Sequence, residues 1–199
     1  NLALVHNGII ENYALLREQL QQKGYTFKSS TDTEVLVQLI DYIQTSSHID
    51  LLDAIRIALH SVIGAYAIAV IDRRQPGRIL AARKSSPLII GVGSDEFFLA
   101  SDATPIVEYT DKVVYLQDNE IAVLEPGKAL KVVNLENELQ LAEVKKIDLN
   151  IGRLEKDGYP APTFRMDESI TDFYAFTKDS FSMENYRFHP FHFEIPMAI

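Results

Sequence analysis

Cysteine is absent from this sequence of 199 residues, and basic residues are few. Without cysteine there can be no disulfide bond, no Cys/His metal cluster and no thiolate nucleophile. The 19 Lys and Arg residues stand against 28 Asp and Glu residues, which gives a formal net charge of -9. This balance argues against nucleic acid and an anionic membrane as partners, because both select clusters of Lys and Arg.

Long hydrophobic runs are also missing from the sequence. No apolar run approaches the length of a membrane span, and we expect no signal peptide at the start. A chain without cysteine is compatible with a reducing compartment, so we expect a cytoplasmic location. The length allows one domain with an apolar core, or such a domain and a tail.

Three helices are predicted in the first third of the chain. Asn12 to Lys23 has helical spacing of its leucines and stops before Gly24, as expected for a glycine C-cap. Thr31-x-x-Glu34 has the spacing of a capping box at the start of a second helix. The third is predicted from Ile49 to Val62. The apolar positions expected to face the core are Leu15, Leu16 and Leu20, then Val35, Leu36, Leu39, Ile40 and Ile43, then Leu51, Leu52, Ile55, Ile57 and Leu59.

From Gly64 onward the hydrophobic period changes from that of helices to that of strands. The predicted strands are Ala65 to Asp72, Arg78 to Lys84, Pro87 to Val92, Glu96 to Ala100, Val113 to Leu116 and Glu120 to Leu124. Lys128 to Leu135 and Leu139 to Ile147 are predicted to form a hairpin about Glu136-Asn137-Glu138. Nearly continuous apolar strands preceded by helices indicate an α+β fold with a sheet covered on both faces.

An Asn-Gly pair, Asn7-Gly8, follows the apolar run from Leu2 to Val5. Asn tolerates left-handed backbone angles and Gly adopts them freely, so the pair by itself indicates a turn. The same pair can also present a side-chain amide and an unobstructed backbone N–H to a developing oxyanion.

A longer series of motifs surrounds the pair. It comprises His6-Asn7-Gly8-Ile9-Ile10-Glu11-Asn12-Tyr13, Gly24-Tyr25-Thr26-Phe27, Thr31-Asp32-Thr33-Glu34-Val35, Gly64-Ala65-Tyr66, Leu80-Ala81-Ala82-Arg83, Ser86-Pro87-Leu88-Ile89-Ile90-Gly91 and Ala100-Ser101-Asp102. Together these resemble the class II glutamine amidotransferase family, from residue 1 to about Tyr159. The Ile-Ile-Glu-Asn continuation resembles its glutamine–fructose-6-phosphate aminotransferase branch, which forms glucosamine-6-phosphate, more than other glutamine amidotransferases.

The resemblance implies a fold and a set of site residues. The fold would be a four-layer αββα sandwich of the N-terminal nucleophile hydrolase type. Asn7 and Gly8 would stabilise the tetrahedral oxyanion, and Gly8 and Asp32 would bind glutamine, with Asp32 holding its α-amino group. The partners would be glutamine and the sugar-isomerase domains of the parent protein, and no cofactor is expected.

The nucleophile of the resembled family is an N-terminal cysteine, which this chain does not contain. We therefore expect that the first part of the domain is missing, that the fold is incomplete, and that the chain alone is inactive. The alternative is a non-catalytic binding or interaction module, or an inactive gene fragment that keeps the fold. Strand edges opened by the missing part would favour association, so a homo-oligomer is included among the expected partners.

Several other polar residues have structural interpretations. Asp32 can also favour the helix dipole and share capping with Thr31, and Glu34 is assigned to capping. Arg83 is expected to make a buried or semi-buried structural contact. Ser101-Asp102 has two interpretations, a loop brace or a neighbour of the site, and the brace is favoured. His48 and His60 are expected at the surface or at an interface.

The composition changes at Tyr159. Residues 159–199 contain seven of the ten Phe, four of the eight Pro and no Gly. We therefore divide the chain into a partial amidotransferase domain, 1–158, and an aromatic-rich tail, 159–199, that does not resemble the family. His189, His192 and Glu194 could suggest a metal site, but incidental residues of an aromatic tail are the better interpretation.

Overall fold

The computed structural model describes residues 1–136 and 138–147. Along the chain the elements are β1 (Leu2–Ile10), α1 (Tyr13–Gln22), α2 (Asp32–Ser47), α3 (Leu51–His60), β2 (Gly64–Asp72), β3 (Ile79–Lys84), β4 (Ile89–Val92), β5 (Phe97–Ala100), β6 (Lys112–Tyr115), β7 (Glu120–Leu124), β8 (Lys131–Asn134), β9 (Leu139–Gln140) and β10 (Lys145–Lys146). The strands form two antiparallel sheets. One has six strands in the order β1-β2-β3-β7-β8-β9, and the other has four in the order β10-β6-β4-β5.

The main core lies between the three helices and one face of the six-stranded sheet. Alternate residues of the sheet, among them Ile68, Val70 and Leu80, pack against buried helix residues such as Val35 and Ile40. Successive side chains of a strand point to opposite faces, so the residues between them face away from the helices. The sheet is therefore covered on both faces, as its nearly continuous apolar strands predicted.

A second core joins the two sheets. Ala67, Ala81 and Ala122 of the six-stranded sheet pack against Ile90 and Val114 of the four-stranded sheet. Small alanines on one side and β-branched residues on the other let the two sheets approach closely. Helices, six-stranded sheet and four-stranded sheet thus form three successive layers of an α+β sandwich.

The outer face of the four-stranded sheet carries a third, smaller core. Ile89, Phe98 and Val113 pack there against Ile106, which belongs to the turns between β5 and β6. In the part of the chain that the structure describes, these turns occupy the side on which the predicted sandwich has its second helical layer.

The predicted helices are present, and two of their expected core positions are wrong. Leu15 is 56% exposed and Ile57 is 47% exposed, whereas Leu16, Leu20 and Leu59 are buried. A ten-residue helix on a sheet buries a narrow stripe, so Leu15 and Ile57 lie beyond its edge. None of the helices within residues 1–136 and 138–147 is long and apolar enough to cross a membrane.

The predicted hairpin after β7 is correct only in its first part. Leu139 and Gln140 pair with Val133 and Val132, as predicted. The strand then ends, and Lys145–Lys146 pairs with β6 in the other sheet. The prediction treated 139–147 as one strand, but its last residues leave the first sheet for the second. Asn137 of the predicted turn lies outside the described residues.

Candidate functional site

Asn7 and Gly8 do not form a turn, so the turn predicted from this pair alone is wrong. They lie within β1, which pairs with β2 along its whole length, Asn7 opposite Ala67 and Gly8 opposite Tyr66. The continuous ladder of hydrogen bonds outweighs the turn tendency of the dipeptide. Asn7 and Gly8 are therefore presented by an edge strand of the six-stranded sheet.

Glycine is required at position 8 by both backbone angle and space. Its φ is +133°, a value that residues with a side chain rarely adopt. A Cβ atom here would lie 2.1 Å from the carbonyl oxygen of Ala65 on the neighbouring strand. Gly8 is exposed and carries no side chain. Its backbone N–H is therefore not obstructed by a side chain of its own, as an oxyanion donor requires.

Asp32 begins α2, with Thr31 as its N-cap. The Thr31 hydroxyl accepts a hydrogen bond from the Glu34 N–H at 3.3 Å, which confirms that half of the predicted capping box. Asp32 does not share this cap. Its Oδ2 instead accepts a hydrogen bond from the backbone N–H of Ile10 at 2.8 Å. This contact brings Asp32 to the strand that carries Asn7 and Gly8.

His6 is a third side chain at this junction, and the sequence motifs predicted no role for it. Its side chain is 2% exposed, and its Nδ1 lies 3.2 Å from the Thr33 hydroxyl and 3.9 Å from Asp32 Oδ1. Burial lowers the pKa of His6, while the Asp32 carboxylate and the Ala65 carbonyl partly oppose this effect. The ring is therefore neutral at pH 7. One feature of the sequence could have pointed to a role for His6. It directly precedes Asn7 and lies on the same face of the strand as Ile10.

Glu34 ties the preceding loop to α2. Its carboxylate accepts hydrogen bonds from the backbone N–H groups of Lys28 and Ser29, at 2.8 and 2.6 Å. Burial acts in the opposite direction, but these bonds and the Ser29 hydroxyl hold the pKa of Glu34 below its usual value. The Thr31 N–H instead donates to the Ser29 hydroxyl at 3.3 Å. Glu34 therefore does not make the return bond of a capping box, and its predicted capping role is wrong, because the nearby N–H groups of Lys28 and Ser29 occupy its carboxylate.

Asn12, at the end of the Ile-Ile-Glu-Asn motif, holds the corner beside the site. Its side-chain amide donates to the Ser61 carbonyl at 2.8 Å, and its Oδ1 accepts from the Ile63 N–H at 2.9 Å. Asn12 therefore joins the start of α1 to the segment between α3 and β2. It acts on the backbone that follows the site and not on the site itself.

Tyr66 lies opposite Gly8 on β2, and its motif, Gly64-Ala65-Tyr66, predicted no role for its side chain. Its side chain is fully buried, and its hydroxyl has no hydrogen-bond partner among the described residues. Burial, with a smaller effect of the Asp118 carboxylate, raises the pKa of Tyr66 to about 12. The phenol therefore stays protonated at neutral pH.

The remaining predicted residues have structural positions. Arg83 donates to the Leu116 carbonyl at 2.9 Å and pairs with Asp118 at 2.8 Å, as expected of a structural contact. The Asp102 carboxylate accepts from the Thr104 N–H at 2.7 Å, which is consistent with a loop brace. His48 and His60 are exposed at the surface.

Metal binding has no candidate in this part of the chain. Residues 1–136 and 138–147 contain no group of three His, Asp or Glu side chains that could hold an ion. His189, His192 and Glu194, and the whole tail 159–199, lie outside the described residues.

Known proteins match most of this chain. Residues 1–108 match a family described as a glutamine amidotransferase domain. A glutamine–fructose-6-phosphate aminotransferase (isomerizing) of Bacteroides thetaiotaomicron is 68% identical over 159 residues, which cover 80% of this chain and 26% of the relative. The enzyme of the same name from Chlorobaculum tepidum is 50% identical over 80% of this chain and 26% of its own length. The chain spans about a quarter of the length of these curated relatives.

A solved structure has the same fold. The glutamine phosphoribosylpyrophosphate amidotransferase of B. subtilis superimposes with a TM-score of 0.59 at 29% identity, over 69% of this chain and 30% of that one. This match and the two stacked antiparallel sheets confirm the predicted fold of the N-terminal nucleophile type. The family match likewise confirms the resemblance drawn from the motifs.

Proposed function

This chain belongs to the glutamine amidotransferase domain family, and we propose that it is the glutaminase part of a glutamine–fructose-6-phosphate aminotransferase. The relatives of that name, at 68% and 50% identity, support the assignment to this branch. The observation that carries the proposal is the hydrogen bond from Ile10 N–H to Asp32 Oδ2, since it joins the helix start to the strand that holds Asn7 and Gly8. One end of glutamine would meet the carboxylate and the other would meet the strand.

Asn7 and Gly8 would act on the amide end of glutamine. When a nucleophile attacks this amide carbon, negative charge develops on the amide oxygen. The Asn7 side-chain N–H and the Gly8 backbone N–H are donors that an oxyanion can accept from, and no Cβ obstructs Gly8. These two donors would stabilise the tetrahedral intermediate.

Asp32 would act on the other end of glutamine, the α-ammonium group. Its side chain is 23% exposed, so the carboxylate can reach a ligand while Ile10 holds one of its oxygens. A charge-assisted hydrogen bond between carboxylate and ammonium is about twice as strong as a neutral one. Asp32 therefore provides affinity and orientation, whereas Asn7 and Gly8 provide rate.

The rest of the reaction would need groups beyond these residues. The chain contains no cysteine, so we propose that these 199 residues alone do not hydrolyse glutamine. In the parent protein a cysteine would attack the amide, and the released ammonia would pass to fructose-6-phosphate on sugar-isomerase domains. We propose that this parent protein is cytoplasmic and that it forms a homo-oligomer.

A chimera with the Bacteroides relative tests the proposal. In it, the 159 matched residues of that enzyme are exchanged for those of this chain. The chimera is expected to release ammonia from glutamine and to form glucosamine-6-phosphate, whereas the 199-residue chain alone does neither. Asn7→Ala should lower kcat by roughly 10²–10³ with a smaller effect on the KM for glutamine.

Asp32→Asn gives the complementary result, a raised KM for glutamine. If Asp32→Asn lowers only the melting temperature, its contact with Ile10 is its whole role and it leaves the site. Ammonia release by the unmodified 199-residue chain, abolished by Asn7→Ala, would contradict the proposed inactivity.

A further inference from the structure

Two contacts join β1 to the first turn of α2, one on each side of Asn7 and Gly8. On one side, His6 Nδ1 lies 3.2 Å from the Thr33 hydroxyl. On the other, the Ile10 N–H donates to Asp32 Oδ2 at 2.8 Å. His6 and Ile10 face the helices because residues of equal parity share one face of a strand. The start of α2 is therefore held at both ends of the segment that carries Asn7 and Gly8.

His6 is not the residue that stability alone would favour at this position. Its side chain is 2% exposed, and its Nε2 is buried without a hydrogen-bond partner among residues 1–136 and 138–147. The Ala65 carbonyl attracts the protonated ring but does not reach hydrogen-bond geometry. A buried polar atom without a partner costs about 1–3 kcal/mol. An apolar ring would fill the same space without that cost.

We propose that His6 is a positioning residue that acts through Thr33 and Asp32 to fix the carboxylate relative to Asn7 and Gly8. The proposal rests on the proposed function, because it assigns Asp32 to the ammonium end of glutamine. A substrate with an ammonium group at one end and an amide at the other must be met at both ends at once. A displaced Asp32 carboxylate would bind the ammonium end of glutamine less tightly, and such a loss of binding is measured as a raised KM.

A neutral ring suits this role. At 3.9 Å from Asp32 Oδ1, a protonated His6 would neutralise the charge that glutamine must find. Burial keeps His6 neutral at pH 7, so it can orient Asp32 without competing for it. Asp32 is the charged group that faces His6 from α2, and Ile68 is its cross-strand neighbour on β2.

The test compares four variants in the Bacteroides chimera, with L-glutamine as substrate. His6→Phe keeps the ring and removes both nitrogens, and Thr33→Val keeps the shape and removes the hydroxyl. Each is expected to raise the KM for glutamine about tenfold while kcat changes less than about threefold. The double variant should be no worse than the stronger single one, because both break one contact. His6→Asn, which replaces Nδ1 by an amide group, should restore most of the affinity.

Tyr25→Phe is the matched control. It also removes one hydrogen bond to α2, from the Tyr25 hydroxyl to Asp41 at 3.1 Å. Asp41 lies in the second half of α2, away from the first turn that contains Asp32. We expect it to leave the KM for glutamine unchanged. A purely structural role of His6 predicts that the two variants lower the melting temperature alike and that neither changes the KM.

The outcomes separate this inference from the proposed function. If Asp32→Asn raises the KM and His6→Phe does not, the function stands and the positioning role of His6 is wrong. If Asn7→Ala and Asp32→Asn both leave an active chimera unchanged, the proposed function fails. For a chimera that is inactive, the Ile10 amide resonance of the 199-residue chain decides: His6→Phe must shift it as Asp32→Asn does, and an unchanged resonance overturns the proposal.

Discussion

Gly8 shows how one residue type ties the strand geometry to the site. Its φ of +133° and the Ala65 carbonyl oxygen, 2.1 Å from where a Cβ would lie, are two separate obstacles to any other residue. Positive φ alone costs about 1–2 kcal/mol for a residue with a side chain. The close contact adds to this, because β2 would have to move away from β1.

Gly8→Ala is therefore expected to lower the free energy of unfolding by more than about 2 kcal/mol. Chemical denaturation of the two proteins measures the difference. Gly24→Ala is the matched control, since Gly24 has φ +89° and no atom within 4 Å of an added Cβ. Its loss should stay near the cost of the angle alone. If both variants lose the same free energy of unfolding, the close contact with the Ala65 carbonyl adds no cost and this prediction is wrong.

The motifs predicted Asn7, Gly8 and Asp32 as site residues, but a motif does not place residues relative to one another in space. The contact between Ile10 and Asp32 joins residues 22 positions apart, and the one between His6 and Thr33 joins residues 27 apart. No local pattern records such pairings. His6 was missed for this reason, since its only local signal was its place beside Asn7.

At the scale of elements, local patterns predicted most helices and strands because each carries its own period and end signals. Glu120–Leu124 has the predicted bounds, and α2 begins at its predicted cap. The predictions of secondary structure were wrong where pairing with a strand distant in sequence determines the structure. Asn7-Gly8 is drawn into a strand by β2, and Lys145–Lys146 pairs with the other sheet. Leu15 and Ile57 show that helical spacing does not give the width of the buried face.

The second half of α2 is anchored to the sheet by a buried carboxylate. Asp72, at the end of β2, is fully buried and accepts hydrogen bonds from Gln44 at 3.1 Å and from Arg74 at 2.8 Å. Burial opposes ionisation, but these bonds hold the pKa of Asp72 below its usual value. The helix that carries Asp32 is thus fixed near its end as well as at its start.

Asp72→Asn should destabilise the protein by about 2–3 kcal/mol at pH 7, since the Arg74 and Gln44 donors lose a charged acceptor. The lowered pKa means that the unfolded state binds the proton more readily. The stabilisation is therefore complete above the unfolded pKa and is lost as the pH falls through the lower folded pKa. Denaturation at several pH values should show the difference between the two proteins shrinking in acid.

Asp50→Asn is the control for this measurement. Asp50 also pairs with an arginine, Arg78, at 3.2 Å, but its side chain is 43% exposed. Solvent screens such a pair, so its loss should cost no more than about 1 kcal/mol. A difference that is as large for Asp50 as for Asp72, or that does not depend on pH, would contradict the role given to burial.

At the scale of the whole molecule, the described cores are built from residues 2 to 147. Helices cover one face of the six-stranded sheet, the four-stranded sheet covers the other, and turns with Ile106 cover the outer face of the latter. β1 remains at the edge of its sheet in the described residues, with Asn7 and Gly8 on it. An edge strand offers unpaired backbone groups to a further strand or to a ligand.

The division of the chain at residue 159 gives the last prediction. The tail 159–199 differs from the rest of the chain in its Phe, Pro and Gly content. We therefore expect that a chain ending at Gly158 remains soluble, unfolds cooperatively and has an unchanged melting temperature. Thermal unfolding and size-exclusion chromatography measure this.

The opposite result has an equally definite physical cause. Burial of apolar surface stabilises a protein by about 25 cal/mol per Å². Burial of the seven Phe side chains of the tail would therefore contribute several kcal/mol. If the tail uses them to cover apolar surface of residues 1–147, its removal exposes that surface and the shortened chain aggregates. Asp72→Asn serves as the comparison, because it destabilises the core without exposing a new surface. Aggregation of the shortened chain at a temperature where Asp72→Asn stays soluble would make the tail part of the domain and refute the division at residue 159.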